Sequence, residues 1–173
     1  MMQTNAIPAR VRKATRGSLS AGHLRQVEKW AEIGREALLL CGPTGSGKTW
    51  TASVAARLWH RDRPSTEYLW VDVPFFAGLL RADHEQGWDS LTQCLHVGLL
   101  VLDDFGSEKL SEYLADRMYS VVNWRYSREK PLIVTTNLVP QELGVLWPRM
   151  ASRLCSGTVI MMDGPDRRLA DGL

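Results

Sequence analysis

The chain is poor in everything that would carry it out of a reducing compartment. Its three cysteines, Cys41, Cys94 and Cys155, are odd in number, far apart and without a CxxC or Cys/His cluster, so neither a disulfide framework nor a structural zinc site is expected. The four histidines, His23, His60, His84 and His96, fall at no ligand spacing. No apolar run approaches the ~18 residues of a membrane span, and no apolar stretch near the start has the form of a signal peptide. No membrane association is expected, and the cytoplasm is the expected location. Acidic residues are absent before Glu28, whereas Arg10, Arg12, Lys13, Arg16 and Arg25 give the first 27 residues a charge of +5 against −3 for the remainder. Residues 1–19 are accordingly expected to form a basic, flexible leader suited to phosphate backbones or an acidic partner.

The rest reads as one globular unit. A chain of 173 residues has room for one domain, taken as residues 20–173, and 45% hydrophobic with 23% charged residues is ordinary for a soluble core of that size. A helical pattern runs from an N-cap at Ser20 to near Gly34. Strand-length apolar runs follow at 37–41, 67–73, 97–102, 132–136 and 158–162, separated by helical stretches at 48–61, from Pro74 to about Arg81, and at 108–128. Continuous apolar strands alternating with helices predict a five-stranded parallel sheet covered on both faces, a three-layer α/β sandwich.

The chemistry sits where those elements meet. Gly42-Pro43-Thr44-Gly45-Ser46-Gly47-Lys48-Thr49 satisfies G-x-x-x-x-G-K-[ST] directly after the first strand and opens a helix. Glycines let the backbone close around phosphate, N–H groups at the helix start donate to its oxygens, Lys48 offsets the β/γ charge, and Thr49 offers an oxygen to Mg²⁺. ATP and Mg²⁺ are thus the expected cofactors. The apolar run from Leu99 ends in two adjacent carboxylates: Asp103 is expected at the metal and Asp104 is placed to orient or deprotonate the attacking water. The strand 132–136 delivers Asn137 to the carboxyl edge of the same sheet, where ligands of open α/β sheets bind, and its amide suits a water held against the γ-phosphate.

The P-loop, the stretch LLVLDDFGSEKLSEYLADRMYSVVNWRY, the IVTTNL strand end, and ASRL followed by VIMMDGPDRR together resemble the AAA+ ATPases of the helicase-loader group, the DnaC/DnaI-type proteins and their phage relatives. IstB-like transposition helper ATPases are similar over the same span, roughly residues 20–168. The resemblance implies a P-loop NTPase of the AAA+ (ASCE) class. It further implies that Asn137 is the sensor of the γ-phosphate, that Arg153 of Ser152-Arg153-Leu154 is an arginine finger acting in a neighbouring subunit, and that Arg167 or Arg168 is a nucleotide-proximal or subunit-contacting arginine. The implied partners are a replicative hexameric helicase or a transposase, single-stranded DNA, and further copies arranged head to tail. Two departures stand out. Asp104 replaces the usual Glu and is one methylene shorter, so slow hydrolysis is expected. Only 36 residues precede the first strand and 11 follow the last, so neither a separate helicase-binding domain nor a separate helical lid is expected.

Loading a replicative helicase onto single-stranded DNA is the leading expectation, and a transposition helper that senses DNA and recruits a transposase is the alternative. Both share every motif. A small-molecule kinase is opposed by the paired acids, the Asn137 strand and the lack of an Arg-rich lid, and a GTPase by the absence of Asn-Lys-x-Asp. A nucleotide-dependent docking module without turnover stays open.

Overall fold

The computed structural model describes residues 2–82, 84–106 and 111–163. The apolar runs form strands β1 (Ala37–Cys41), β2 (Tyr68–Asp72), β3 (Leu99–Phe105), β4 (Leu132–Thr136) and β5 (Thr158–Met161). All pair in parallel, in the order β2-β3-β4-β1-β5. Because β3, β4 and β1 are adjacent, whatever follows their carboxyl ends is gathered at one edge.

Successive strand residues face opposite sides of a sheet, so a strand covered on both faces must be apolar throughout. Leu38 and Leu40 of β1, with Leu99, Val101, Ile133 and Ile160, pack against α1 (Ala21–Ile33) and α2 (Lys48–Arg61). Leu39 and Cys41, with Leu100, Leu102, Leu132 and Val134, face a second core. That core is filled from α3 (Val73–Ala82), α4 (His84–His96), α5 (Glu112–Ser127), α6 (Pro140–Leu146) and α7 (Pro148–Leu154). Two cores on one sheet make the three-layer P-loop sandwich. Among the described residues, no helix is long and apolar enough to cross a membrane.

Some elements depart from the sequence pattern. α4, anchored by buried Leu91 and Cys94 with Leu95 packed beside them, is a helix the sequence reading did not include. β3 begins two residues later than expected and continues through both acids to Phe105. α5 starts at Glu112, where Ser111 caps it by accepting from Leu114 N–H; the expected start at 108 lies outside the described residues. One helical position carries unexpected polarity: Arg125 is fully buried, and its guanidinium donates to the carbonyls of Cys94 (2.9 Å), Leu95 (3.2 Å), Val97 (2.9 Å), Gly98 (2.8 Å) and Pro131 (2.7 Å). It ties the end of α4 and both strand entries to α5, and burial lowers its pKa to about 10.

Residues 2–19, expected as a flexible leader, are placed along the body. Thr4 makes an antiparallel bridge to Leu69 of edge strand β2, where Asn5 N–H donates to Tyr68 O (2.8 Å) and Tyr68 N–H to Asn5 Oδ1 (3.0 Å). A short 3₁₀ turn, Ala9–Val11, then buries Val11, and Ala14 joins the α1/α2 core. Ser53 Oγ donates to Val11 O (3.0 Å), while Arg57 donates to Arg12 O (3.1 Å) and Ala14 O. The charge count registered four cations in this region but not the spaced apolar side chains and backbone carbonyls that α2 captures.

Candidate nucleotide-binding site

The loop after β1 is shaped by backbone demands. Gly42 N–H donates to Thr136 O (3.2 Å), and a Cβ at Gly42 would lie 2.2 Å from Met162 O, so only glycine lets the chain leave the sheet there. Gly47 stands in the left-handed region (φ 94°) as the N-cap of α2, and its carbonyl accepts from Thr51 N–H (2.9 Å). Lys48 Nζ donates to Gly42 O (2.8 Å) and Pro43 O (2.7 Å), which seats the ammonium inside the curve of the loop. Ser46 is buried in the same curve with a hydroxyl that has no protein partner among the described residues. An orphaned buried donor in a glycine-rich cradle at a helix start fits a phosphate ligand.

Beneath the loop, Asp103 is fully buried. Its Oδ1 accepts from Thr49 Oγ1 (3.0 Å) and Thr135 Oγ1 (2.7 Å), and its Oδ2 from Arg10 Nη2 (3.1 Å). Pairing of β3 with β4 slips between Leu102 and Phe105, and within that bulge Asp104 adopts φ 63°. A bulge bends its strand and re-aims a side chain, and Asp is among the residues that tolerate this backbone conformation. Asp104 N–H donates to Thr135 Oγ1 (2.9 Å), so a single hydroxyl touches both acids. Asn137, exposed, follows Thr136, which stands opposite Cys41 on one side and Phe105 on the other. The fold therefore collects the 42–49 loop, Asp103, Asp104 and Asn137 at one edge.

Arg153 is elsewhere. Its Nε donates to Asn123 Oδ1 (2.7 Å) and its Nη1 to Arg149 O (2.8 Å), with the guanidinium over Tyr119 and Tyr126. It borders a groove shared with Glu36, Ala37, Lys130 and Leu132, at the amino ends of β1 and β4. The P-loop leaves the opposite end of β1, roughly 16 Å away at ~3.3 Å per strand residue. One subunit does not bring Arg153 to its own P-loop. Arg167 and Arg168 lie outside the described residues.

Thr135 and Arg10 were missed by sequence reasoning. Thr135 left a faint signal, as a hydroxyl within an otherwise apolar buried strand; Arg10 left none beyond its charge. The hard oxygen donors of Thr49 and Asp103 suit Mg²⁺, which takes one or two protein oxygens and completes its shell with water and phosphate. Among the described residues no group of three or more His, Cys, Asp or Glu is placed to hold a metal.

Comparison with known proteins agrees with this geometry. Residues 22–148 match the profile of the IstB-like ATP binding protein family. Over 100 residues the chain is 36% identical to y4pL of Sinorhizobium fredii (strain NBRC 101917 / NGR234), described as an insertion sequence ATP-binding protein; the match covers 57% of this chain and 40% of that one. The crystal structure of DnaI superposes with a TM-score of 0.78 at 23% identity, over 93% of this chain and 94% of that chain. The DnaC helicase loader gives 0.72 at 21% identity, over 90% and 100%. DnaA bound to AMPPCP and single-stranded DNA gives 0.75 at 21%, over 89% and 51%. At these identities the structural likeness is one of fold.

Proposed function

Given that the chain belongs to the IstB-like ATP-binding protein family, we propose that it is an AAA+ ATPase that binds ATP with Mg²⁺ at residues 42–49, hydrolyses it slowly, and uses the cycle to place a partner protein on DNA. The observation that carries this is the Thr49–Asp103–Thr135 hydrogen-bonded cluster directly below the P-loop.

The roles follow from position. Loop N–H groups and Lys48 hold the phosphates, and Thr49 with Asp103 would hold the metal. Bound there, Mg²⁺ would neutralise charge developing on the phosphate oxygens. Asp104, held by the bulge, orients the attacking water and accepts its proton; its short side chain accounts for slow turnover. Asn137 fixes that water and senses the γ-phosphate. Arg167 is proposed as a nucleotide-proximal residue, with Arg168 as the alternative. Arg153 acts in trans: its place at the far end of β1 is what a head-to-tail assembly needs to carry a cation into the next subunit's site. We take residues 20–173 as an ATPase domain against which Thr4 and Ala14 of the preceding segment pack, working in the cytoplasm.

As partner we propose a replicative hexameric helicase, loaded onto single-stranded DNA. A transposase is the second reading, favoured by the 36% identity to an insertion sequence ATP-binding protein. Calorimetry with Mg·ATP tests the first step: Lys48→Ala should abolish binding with an unchanged far-UV spectrum, and Asp104→Asn should bind ATP yet not turn it over. Gel filtration of the protein with purified helicase or transposase, with and without ATP, decides the partner. ATP binding that survives Lys48→Ala would end the proposal at its root.

A further inference from the structure

Asp103 is a buried carboxylate, and a buried charge requires a counter-charge as well as hydrogen bonds. Its Oδ1 is engaged by two neutral hydroxyls, Thr49 and Thr135. Positive charge comes to Oδ2 from Arg10, at 3.1 Å. Arg10 is not carried by a loose end. It lies in the 3₁₀ turn Ala9–Val11, whose last residue is buried and whose Val11 carbonyl accepts from Ser53. Thr49, Ser53 and Arg57 are spaced by four on α2 and so share one face. Thr49 holds Asp103, while Ser53 and Arg57 hold the backbone that delivers Arg10 to the same carboxylate.

We infer that Arg10 is a cation built into the metal subsite, competing with Mg²⁺ for the outward oxygen of Asp103, so that the residues preceding α1 restrain Mg·ATP binding. This rests on the ATP·Mg²⁺ reading of the site. A guanidinium and a divalent cation repel each other and share one carboxylate oxygen poorly, so one must yield. The Arg10 side chain is 57% exposed and has water to move into, whereas Asp103 has none. An exposed partner also makes the pair weak, so the restraint is modest: the apparent affinity for Mg·ATP is reduced by the fraction of molecules in which Arg10 is seated.

The test is ATP titration calorimetry on the full chain in two buffers, one with excess Mg²⁺ and one with EDTA, for the unaltered protein, Arg10→Ala and Arg10→Lys. Arg10→Ala should tighten binding about two- to fivefold in Mg²⁺ and change it less than twofold in EDTA, with Arg10→Lys between it and the parent. The Mg²⁺ concentration for half-maximal ATP binding should fall in parallel. If Arg10→Ala weakens ATP binding in both buffers, Arg10 is a phosphate ligand and the inference is overturned. It is equally overturned if the parent binds ATP and Arg10→Ala matches it in both buffers. A parent protein that binds no ATP in either buffer removes the nucleotide reading itself.

Discussion

Replacing Thr135 with valine keeps the shape of the side chain and deletes one hydroxyl from the centre of the site. That hydroxyl donates to Asp103 Oδ1 at 2.7 Å and accepts from Asp104 N–H at 2.9 Å, within a residue that is itself buried. A hydrogen bond to a charged group contributes about 1.5–3 kcal/mol and a neutral one about 0.5–1.5 kcal/mol. Valine takes one of the two hydroxyls from Asp103 Oδ1 and strands a half-buried amide in the bulge, so Thr135→Val should lose about 2–4 kcal/mol. Urea unfolding reads this as a lower midpoint at constant slope, by roughly 1–2 M for a slope near 2 kcal/mol/M. Thr135→Ser restores the hydroxyl and gives up one buried methyl, about 0.8 kcal/mol, so it should stand well above valine. The two variants separate hydrogen bonding from packing. A valine variant within ~0.5 kcal/mol of the parent, or a serine variant as unstable as valine, would show that the hydroxyl does not hold the acids in place.

Arg125→Leu leaves five carbonyls around α5 without their donor and should cost about 3–5 kcal/mol in thermal or urea unfolding, more than any exposed arginine; a loss under 1 kcal/mol would contradict the staple. Burial pushes the thiols of Cys41 and Cys94 up to about 12 from an ordinary 9.0. Both are protonated in either state below pH 9, whereas above it only the unfolded chain ionises, so stability should fall between pH 9 and 12, by up to about 1.4 kcal/mol per pH unit for each thiol. Unfolding curves that hold level from pH 8.5 to 10.5 would contradict it. For the proposed trans action of Arg153, Arg153→Ala and Lys48→Ala should each be inactive alone, and their mixture should regain some hydrolysis through composite sites; a dead mixture of proteins that still assemble would place the catalytic cation elsewhere.

The sheet was legible because burial on both faces leaves a signature that survives without context. Leu38 to Cys41 and Leu99 to Leu102 must be apolar at every position when helices cover both sides, whatever the partner strands are. The P-loop was legible for a related reason, since its requirements fall on glycine backbone and on residues adjacent in the chain. α4 carried a legible signal too, since Leu91, Cys94 and Leu95 recur at helical spacing and pack into the second core, and it was missed.

What escaped belongs to pairs of segments. The slip that turns Asp104 to φ 63° is a mismatch between β3 and β4, and neither strand alone encodes it. Thr135 acts as it does only because that slip brings an amide and a carboxylate to the same hydroxyl. The leader is the extreme case. Its own charges argue for solvent, and residues far along the chain reverse that outcome: Arg57 captures backbone carbonyls, which any sequence would supply, while Asp103 captures Arg10. Charge counted along a sequence treats each cation as solvated until a buried anion is known to lie within reach. Here that anion is 93 residues away, and its burial follows from the sheet. The order of inference is therefore forced: the strands fix where Asp103 is, Asp103 fixes what Arg10 is for, and only then does the basic start of the chain become part of the nucleotide site.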